Sequence, residues 1–578
     1  MPPESLDLVG HVTGWWRLTP EIALATGSAL LLVYEAFAKP SNGRRPALIA
    51  AGVVLVALVL TLTVPLSGAT AVFREMAVVD PFVQYFRVLF SVAALFGLLL
   101  AWRSNEIRAR TAPEYYALFL ALVFGMMLMA SAADFIMLMI ALEIVSLMSY
   151  ILAGFRRGHA KSAEAALKYV IYGGAASGAM FFGFSILYGL TGHTHFSLIH
   201  EALRAAVPKG PELVALSAAV ALIFAGLGYK VAAVPMHMWS PDVYEGAPTP
   251  FTAFLSTGPK AAGFAAMIRF FYVTFADHTE GANLLSDITS FPWIYLIIAS
   301  AVLTMTIGNL AAIGQRNIKR FLAYSSIAHA GYLLIGVAAF SQAAISAVLI
   351  YLAFYVVMNL GAFYVVIWVR ERTGHELIED YKGLGRRAPL VAVVLTLCLF
   401  SLTGLPPLAG FIGKYYIFAA ALERGAEMGP ALACSPELRE TMGLLSRIGC
   451  SIASGGVFYA LAIIGALNSA ISLFYYARVI RKMFLENAAD ESPIPVDASA
   501  RLVLIPVALF LVVFGVYWGP LKSAADRASL IHRPLVESRA DSTTAQRTPS
   551  SAANGSTASV SARARVPHDE YGQAQVAR

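Results

Sequence analysis

Glu143, Lys230, Lys260, His329 and Lys414 stand inside long apolar runs, where ionisable side chains are rare. A charge at the centre of a hydrocarbon layer costs about 2.5–3.5 kcal/mol on insertion scales, so residues of this kind point to an ion pathway. Glu143 lies near the middle of its run, ADFIMLMIALEIVSLMSYILAGF. Lys230 comes five residues before Pro235 in LIFAGLGYKVAAVPMHMW. Lys260 directly follows Gly258-Pro259 in FLSTGPKAAGFAAMIRF, and Lys414 comes seven residues after Pro407 in LTGLPPLAGFIGKYYIFAAA. Proline lacks an N–H donor and breaks the helical ladder, and interrupted helices lining an internal cavity recur in ion transport. Each lysine alone also fits a snorkelling or structural role, but three beside Pro or Gly breaks form a set.

Such a set suits proton transfer. Burial favours a neutral amine and a neighbouring carboxylate favours the ammonium, so Glu143 can decide whether a buried lysine holds its proton. The competing reading of Glu143 is a carboxylate satisfied by a neighbouring helix for packing specificity. His329, in AYSSIAHAGYLLIG, adds a group of unperturbed pKa about 6.5 that relays protons; a satisfied core histidine is the alternative. His237, Trp239, Asp242 and Glu245, in MHMWSPDVYEGAPTP, read as a loop clamp. The sequence holds no HExxH, GxSxG, CxxC or Walker lysine motif, so neither a metal site nor a bound cofactor is expected in the chain.

The elements that must hold these residues follow from composition. The chain has 578 residues, 58% hydrophobic and 13% charged, where a soluble domain carries about 25% charge. That excludes a soluble enzyme of ordinary surface. Apolar runs of about 20 residues, each long enough to cross about 30 Å of hydrocarbon as a helix, recur along the chain; the short alternating segments of a membrane barrel do not. The expectation is an all-α polytopic membrane protein of about fourteen spans: 18–38, 46–66, 80–102, 112–131, 134–154, 164–190, 213–237, 250–275, 290–313, 320–340, 344–370, 388–422, 456–485 and 501–519. The start of the chain lacks the pattern of a removable signal peptide, so the first span is expected to stay.

Connections after odd-numbered spans carry 20 Lys and Arg, against six after even-numbered spans. The odd connections are therefore expected in the cytoplasm and both termini on the periplasmic side. Three segments result: an extracytoplasmic 1–17, a membrane domain 18–519, and a Ser/Ala/Arg-rich tail 520–578 expected to be disordered. The net charge of +7 sits largely in short loops and the tail, so the bilayer rather than nucleic acid is the expected partner. Of three cysteines, Cys398 lies in a span, leaving Cys434 and Cys450 as the one possible disulfide. Gly174 and Gly178 form a small-xxx-small pair expected to allow close helix packing. Gly383, Gly385 and Ala388 match a dinucleotide fingerprint by letter only, because no strand precedes them.

VPMHMWSPDVYEGAPTPFTAFLSTGPKAAGFAAMIR, YSSIAHAGYLLIG and SLTGLPPLAGFIGKYYIF resemble the antiporter-like membrane subunits of bacterial NADH-quinone oxidoreductase, respiratory complex I, and among them the subunit N branch. The resemblance covers roughly residues 15–520. Within it, nothing apolar follows residue 519 as in subunit L, and Lys414 stands where subunit M has glutamate. The resemblance implies fourteen helices with two inverted five-helix repeats, each containing a broken helix, related to Mrp-type antiporters. It implies that Glu143 biases its lysine partner Lys230, that Lys260 connects onward, that Lys414 serves a second half-channel, and that His329 belongs to the polar axis between them. It also implies no cofactor in this chain, with NADH, FMN, iron–sulfur clusters and quinone in partner subunits, K and M as neighbours, and a place in the bacterial inner membrane. An insertion at about 425–455 and the tail depart from the pattern. A stand-alone or Mrp-like cation/proton antiporter, or a structural subunit that moves no ions, are the alternatives left open by the residues.

Overall fold

The computed structural model describes residues 14–37, 43–64, 69–73, 75–107, 109–206, 208–278, 285–287, 293–431, 455–488 and 490–531. Cys434, Cys450, most of the 425–455 insertion, the first 13 residues and the tail from 532 lie outside them. The described chain is helical apart from two small antiparallel hairpins, Thr70–Val72 with Ala77–Val79 and Ala276–His278 with Leu285–Asp287.

In chain order the main helices are α1 (Thr19–Phe37), α2 (Arg44–Thr63), α3 (Pro81–Arg103), α4 (Ala112–Ser131), α5 (Phe135–Ala153), α6 (Ala160–Thr191), α7 (Phe196–Ala205), α8 (Pro211–Val231), α9 (Trp239–Gly246), α10 (Thr249–Leu255) and α11 (Gly258–Phe275). They continue with α12 (Trp293–Ile313), α13 (Ile318–Ala339), α14 (Gln342–Thr373), α15 (Pro389–Thr403), α16 (Ala409–Ala431), α17 (Val457–Leu485), α18 (Ala498–Val516) and α19 (Gly519–Ala528). Eleven described helices are long and apolar enough to cross a membrane. The runs expected at 250–275 and 388–422 are each split in two, the first by Ser256–Thr257 into α10 and α11, the second by Gly404–Leu408 into α15 and α16. Past the expected boundary at 519 the chain continues into α19.

An internal repeat is visible in the elements. Helices α4, α5 and α6 have 20, 19 and 32 residues, and α12, α13 and α14 have 21, 22 and 32. Both 32-residue helices end on a glycine with positive φ, Gly192 at 72° and Gly374 at 75°, a conformation that costs other L-residues energy. Asp134 and Asn317 cap α5 and α13 through their side chains. Each also bridges the segment after the long helix, Asp134 to His195 and Asn317 to Leu377. A broken helix follows in both: α8 and α9 in the first half, α15 and α16 in the second. Because the repeats are five spans apart, they cross the membrane in opposite directions.

Ion pairs and hydrogen bonds sort the connections onto two faces. On one, Arg103 meets Asp497 at 2.6 Å, Glu106 lies 3.0 Å from both Arg156 and Arg370, and Lys482 meets Glu379 at 2.7 Å. All of these follow odd-numbered expected spans or end them. On the other, Asp80 holds Arg269 at 3.0 Å, His195 bonds the Glu75 carbonyl at 2.9 Å and Ser346 bonds Asp526 at 2.6 Å. The alternation read from basic residues is thus the alternation of the fold.

The helix packing expected of Gly174 and Gly178 is not made within this chain. Both are exposed, and a Cβ at either would meet nothing within 4 Å. Gly173 and Gly183 are the packing positions, where a Cβ would lie 1.8 Å from the Tyr150 hydroxyl and 2.7 Å from the Ala219 carbonyl. The spacing was right for a helix contact, but the sequence does not say which side of α6 meets its own chain.

Candidate functional site

Lys230, Lys260, Lys414 and His329 are each no more than 3% exposed. Lys230 lies in the last turn of α8, at the carbonyl end of the helix, where the macrodipole favours positive charge. Beyond it Ala232 takes φ 59° and the ladder stops. The backbone groups freed there are satisfied by α12: Thr304 accepts from the Val234 N–H at 2.9 Å, and Ser300 donates to the Val234 carbonyl at 2.7 Å. A broken helix at membrane depth requires such partners. Trp239, stacked on Tyr169, donates from Nε1 to the Tyr229 carbonyl at 3.1 Å and so ties α9 back to α8.

Lys230 donates from Nζ to Ser146 Oγ at 3.0 Å. Ser146 is on α5, one turn beyond Glu143, so carboxylate and hydroxyl share one helix face. Glu143 itself is half-buried and its Oε1 has no hydrogen-bond partner. Lys230 is therefore bonded to the serine, while the Glu143 charge acts on it through space. The stem of Lys230 lies against α11 at Gly263, where a Cβ would come within 3.3 Å of both Lys230 Cβ and Cγ. Lys260 is one turn away on that helix.

Lys260 is the third residue of α11, at the helix end that the macrodipole makes unfavourable to a cation. Its Nζ donates to the Ser326 carbonyl at 2.7 Å and to Ser326 Oγ at 2.5 Å, and the Tyr244 hydroxyl lies 3.4 Å from the same Oγ. Ser325, Ser326, His329 and Tyr332 fall at helical spacing on α13, which presents a polar seam to the interior. Ser325 bonds the Tyr476 hydroxyl at 2.5 Å, Tyr476 lies 3.4 Å from His329 Nε2, and His329 Nδ1 bonds the Tyr351 hydroxyl. His329 is within electrostatic reach of both Lys260 and Lys414.

Lys414 follows the break between α15 and α16 and reaches back across it. Its Nζ donates to the Thr403 carbonyl and to Ser469 Oγ, both at 2.9 Å, and sits 4.3 Å from the centre of the Tyr332 ring. The Thr403 carbonyl is an orphan acceptor at the C-terminus of α15, left free by the same break that positions the lysine. Gly404, at φ 88°, makes room: a Cβ there would lie 2.9 Å from Lys414 Cδ.

Sequence reading located the five ionisable groups but missed their partners, Ser146, Ser326, Tyr351, Thr403, Ser469 and Tyr476. The helical spacing of YSSIAHAGY carried a signal for the α13 residues. The same criterion of charge in an apolar run also applies to Arg87 and Arg269, which pair with Glu21 at 2.7 Å and Asp80 at 3.0 Å. The distinction is chemical: each arginine is bonded to a carboxylate, whereas the three lysines are bonded to neutral oxygens. Asp242 and Glu245 form the expected clamp, bonded to Lys168 and Lys161 of α6 and both to Arg320 of α13. Both sit below the usual carboxylate range: partial burial raises them, but the hydrogen bonds from these cations outweigh it. Among the described residues no group of three or more His, Cys, Asp or Glu could hold a metal ion.

Two inverted halves, each with a broken helix and a buried lysine beside the break, define an antiporter-like membrane subunit. The family described as NADH:quinone oxidoreductase/Mrp antiporter, transmembrane, matches residues 132–435. The chain belongs to that family and, within it, to the subunit N family of NADH-quinone oxidoreductase. It is 45% identical over 518 residues to NADH-quinone oxidoreductase subunit N of Anaeromyxobacter sp., covering 88% of this chain and 94% of that protein. It is 41% identical over 532 residues to subunit N 2 of Chloroherpeton thalassium, covering 91% and 96%. Among solved structures it resembles a chain of respiratory complex I from Thermus thermophilus, with TM-score 0.67 and 28% identity over 88% of this chain and 99% of that one. A chain of the Mrp complex from Dietzia sp., at 19% identity and TM-score 0.69 over 89% and 97%, shares the fold.

Proposed function

We propose that this chain is a proton-translocating subunit of the membrane arm of NADH-quinone oxidoreductase, a translocase in which NADH oxidation and quinone reduction take place in partner subunits. The observation that carries the reading is the series Lys230, Lys260, His329 and Lys414, buried in one interior seam and bonded to neutral oxygens and hydroxyls. A lysine held this way changes protonation without abandoning a buried counter-ion, which a salt-bridged arginine cannot do. Hydroxyls of Ser325, Tyr476 and Tyr351 both donate and accept, as a proton relay requires. Energy from the redox subunits changes how strongly Glu143 engages Lys230, and the displaced proton moves by way of Lys260 and His329 to Lys414.

The chain itself carries no redox centre in this reading; NADH, FMN, iron–sulfur clusters and quinone belong to the partners. Subunits K and M are its neighbours. The open side of α5 and α6, with Ile140, Leu147, Ile171 and Phe182 exposed beside Gly174 and Gly178, supports an adjoining membrane subunit next to Glu143. The excess of basic residues on one face supports an inner-membrane orientation with both termini periplasmic.

Proton pumping and NADH:quinone activity of the assembled complex test this. Lys230→Ala and Glu143→Gln are expected to lose pumping with assembly intact. Full activity in both variants would sink the assignment.

A further inference from the structure

A groove of about 440 Å³ opens on the outside of the membrane domain, between α3, α14, α18 and α19. Its walls are apolar, with Val88 and Val92 of α3, Val356 of α14, Phe510 of α18 and Leu521 of α19 among them. It has no part in the interior seam that holds the lysines. Its polar lining is confined to one end. Tyr85 there is already bonded to the Leu349 carbonyl, and Gln84 donates to the Thr61 carbonyl while its Oε1 is buried without a partner. Arg527 of α19 stands at the same end and is exposed. The neighbouring carboxylate, Asp526, is engaged by Lys522 and by Ser346 at 2.6 Å.

Depth and charge together identify the occupant. Helix α19 follows α18 directly and has an apolar side and a charged side, as a helix lying in the membrane interface does. Ser346, bonded to Asp526, fixes where α14 meets that interface. On α14 the wall of the groove is Ala353 to Val357, the last of which is eleven residues in from Ser346. Along α3 the groove likewise runs eleven residues, from Pro81 to Val92, or about 16 Å at about 1.5 Å per residue. That is about half of the roughly 30 Å hydrocarbon layer, one leaflet. A neighbouring subunit helix would cross the whole layer; a lipid tail ends at the midplane. The cation is at the headgroup end, where it complements a phosphate.

We propose that this groove binds an acyl chain of an anionic phospholipid whose phosphate pairs with Arg527. The purified complex, reconstituted in phosphatidylcholine, is incubated with phosphatidylglycerol carrying a photoactivatable group on its acyl chain, and labelled residues are mapped by peptide mass spectrometry. Label is expected on the groove walls several-fold above exposed apolar positions elsewhere, such as Ile463 and Leu502. Unlabelled phosphatidylglycerol should compete better than phosphatidylcholine. Arg527→Gln, at an exposed position, should cut labelling by the anionic probe several-fold and leave a phosphatidylcholine probe unchanged. Val88→Trp, which fills the groove, should cut both. Uniform label over the apolar belt, equal competition by the two lipids, an unchanged Arg527→Gln pattern, or crosslinking of the groove to another subunit's peptide would each overturn the proposal.

Discussion

The two halves of the membrane domain place polar groups in the same register and use them differently. Nine residues after its N-cap, α5 carries Glu143 and α13 carries Ser326; twelve residues after, α5 carries Ser146 and α13 carries His329. In the first half the hydroxyl at the later position binds Lys230 and the carboxylate at the earlier one stays without a bond on Oε1. In the second the earlier position, Ser326, binds Lys260, and the later one, His329, bonds the Tyr351 and Tyr476 hydroxyls. Lys414 is then held by a backbone carbonyl, a hydroxyl and an aromatic face. The first half therefore sets a carboxylate one turn from the hydroxyl that binds its lysine, and the second surrounds its lysine with neutral partners alone. The repeated scaffold accounts for the shared register, and a single carboxylate for the asymmetry.

The largest test of that asymmetry is to remove the carboxylate. Glu143→Gln is expected to lower pumping by the assembled complex about a hundredfold, the low end of what a positioned proton-transfer group contributes. Ser326→Ala, at the equivalent position, leaves Lys260 the Ser326 backbone carbonyl and is expected to cost far less. Equal losses, measured as initial rates of acidification in reconstituted vesicles, would remove the distinction between the halves.

Next in size is the loss of one lysine partner. A hydrogen bond to a charged group contributes about 1.5–3 kcal/mol. Ser146→Ala removes the bond observed for Lys230 and should slow pumping about tenfold. Ser469→Ala leaves Lys414 the Thr403 carbonyl and the Tyr332 ring and should slow it only about twofold, within the range of a partly compensated bond. The reverse order would mean that Lys414, and not Lys230, is the less supported site.

The two breaks differ in a smaller way. Gly404 and Ala232 both adopt positive φ, at 88° and 59°. Gly404→Ala is expected to destabilise the domain by about 1–2 kcal/mol through backbone strain and to displace Lys414, whose Cδ lies 2.9 Å from the new Cβ. Ala232→Gly relieves the strain already present and should be neutral or stabilising by up to about 1 kcal/mol. Thermal unfolding in detergent distinguishes the two.

How much of this was legible in the sequence follows from the kind of signal involved. Breaks at Pro235 and Pro407 and the buried lysines were readable because a missing N–H and a charge in an apolar run are local facts. The break beside Gly258-Pro259 was readable too, but only to within two residues: 250–275 reads as one apolar segment, and the interruption itself falls on Ser256–Thr257, with Gly258-Pro259 opening α11. Ser146, Ser326 and Ser469 look like any serine in an apolar helix, where the hydroxyl usually bonds its own preceding turn. Which lysine each meets depends on how α5, α13 and α17 cross α8, α11 and α16. What Gly174 and Gly178 face was not legible for the same reason: periodicity gives a face but not its partner.

The smallest difference lies in the loops that clasp each half. Asp242 and Glu245 are partly buried between α6 and α13, whereas Glu379, in the connection after α14, is exposed and held between Lys382 at 2.6 Å and Lys482 at 2.7 Å. Hydrogen bonds from these two ammonium groups lower Glu379 from 4.5 to about 2. A carboxylate whose folded value is depressed stabilises the fold fully above its unfolded value and loses that contribution as pH falls through the folded one. The Glu379 clasp should therefore be complete above about pH 5, weaken as pH falls below about 4.5, and vanish near pH 2. Glu379→Gln should lower the unfolding temperature of the complex slightly at about pH 6, and the gap from the unmodified protein should shrink by about pH 3. High salt should shrink it as well, because exposed pairs are screened. The Asp242 and Glu245 clasp, with both carboxylates and their shared Arg320 partly buried, should resist salt better. If both clasps respond alike to salt, the ends of the two halves are held with equal strength, and the asymmetry of the domain is confined to the buried seam.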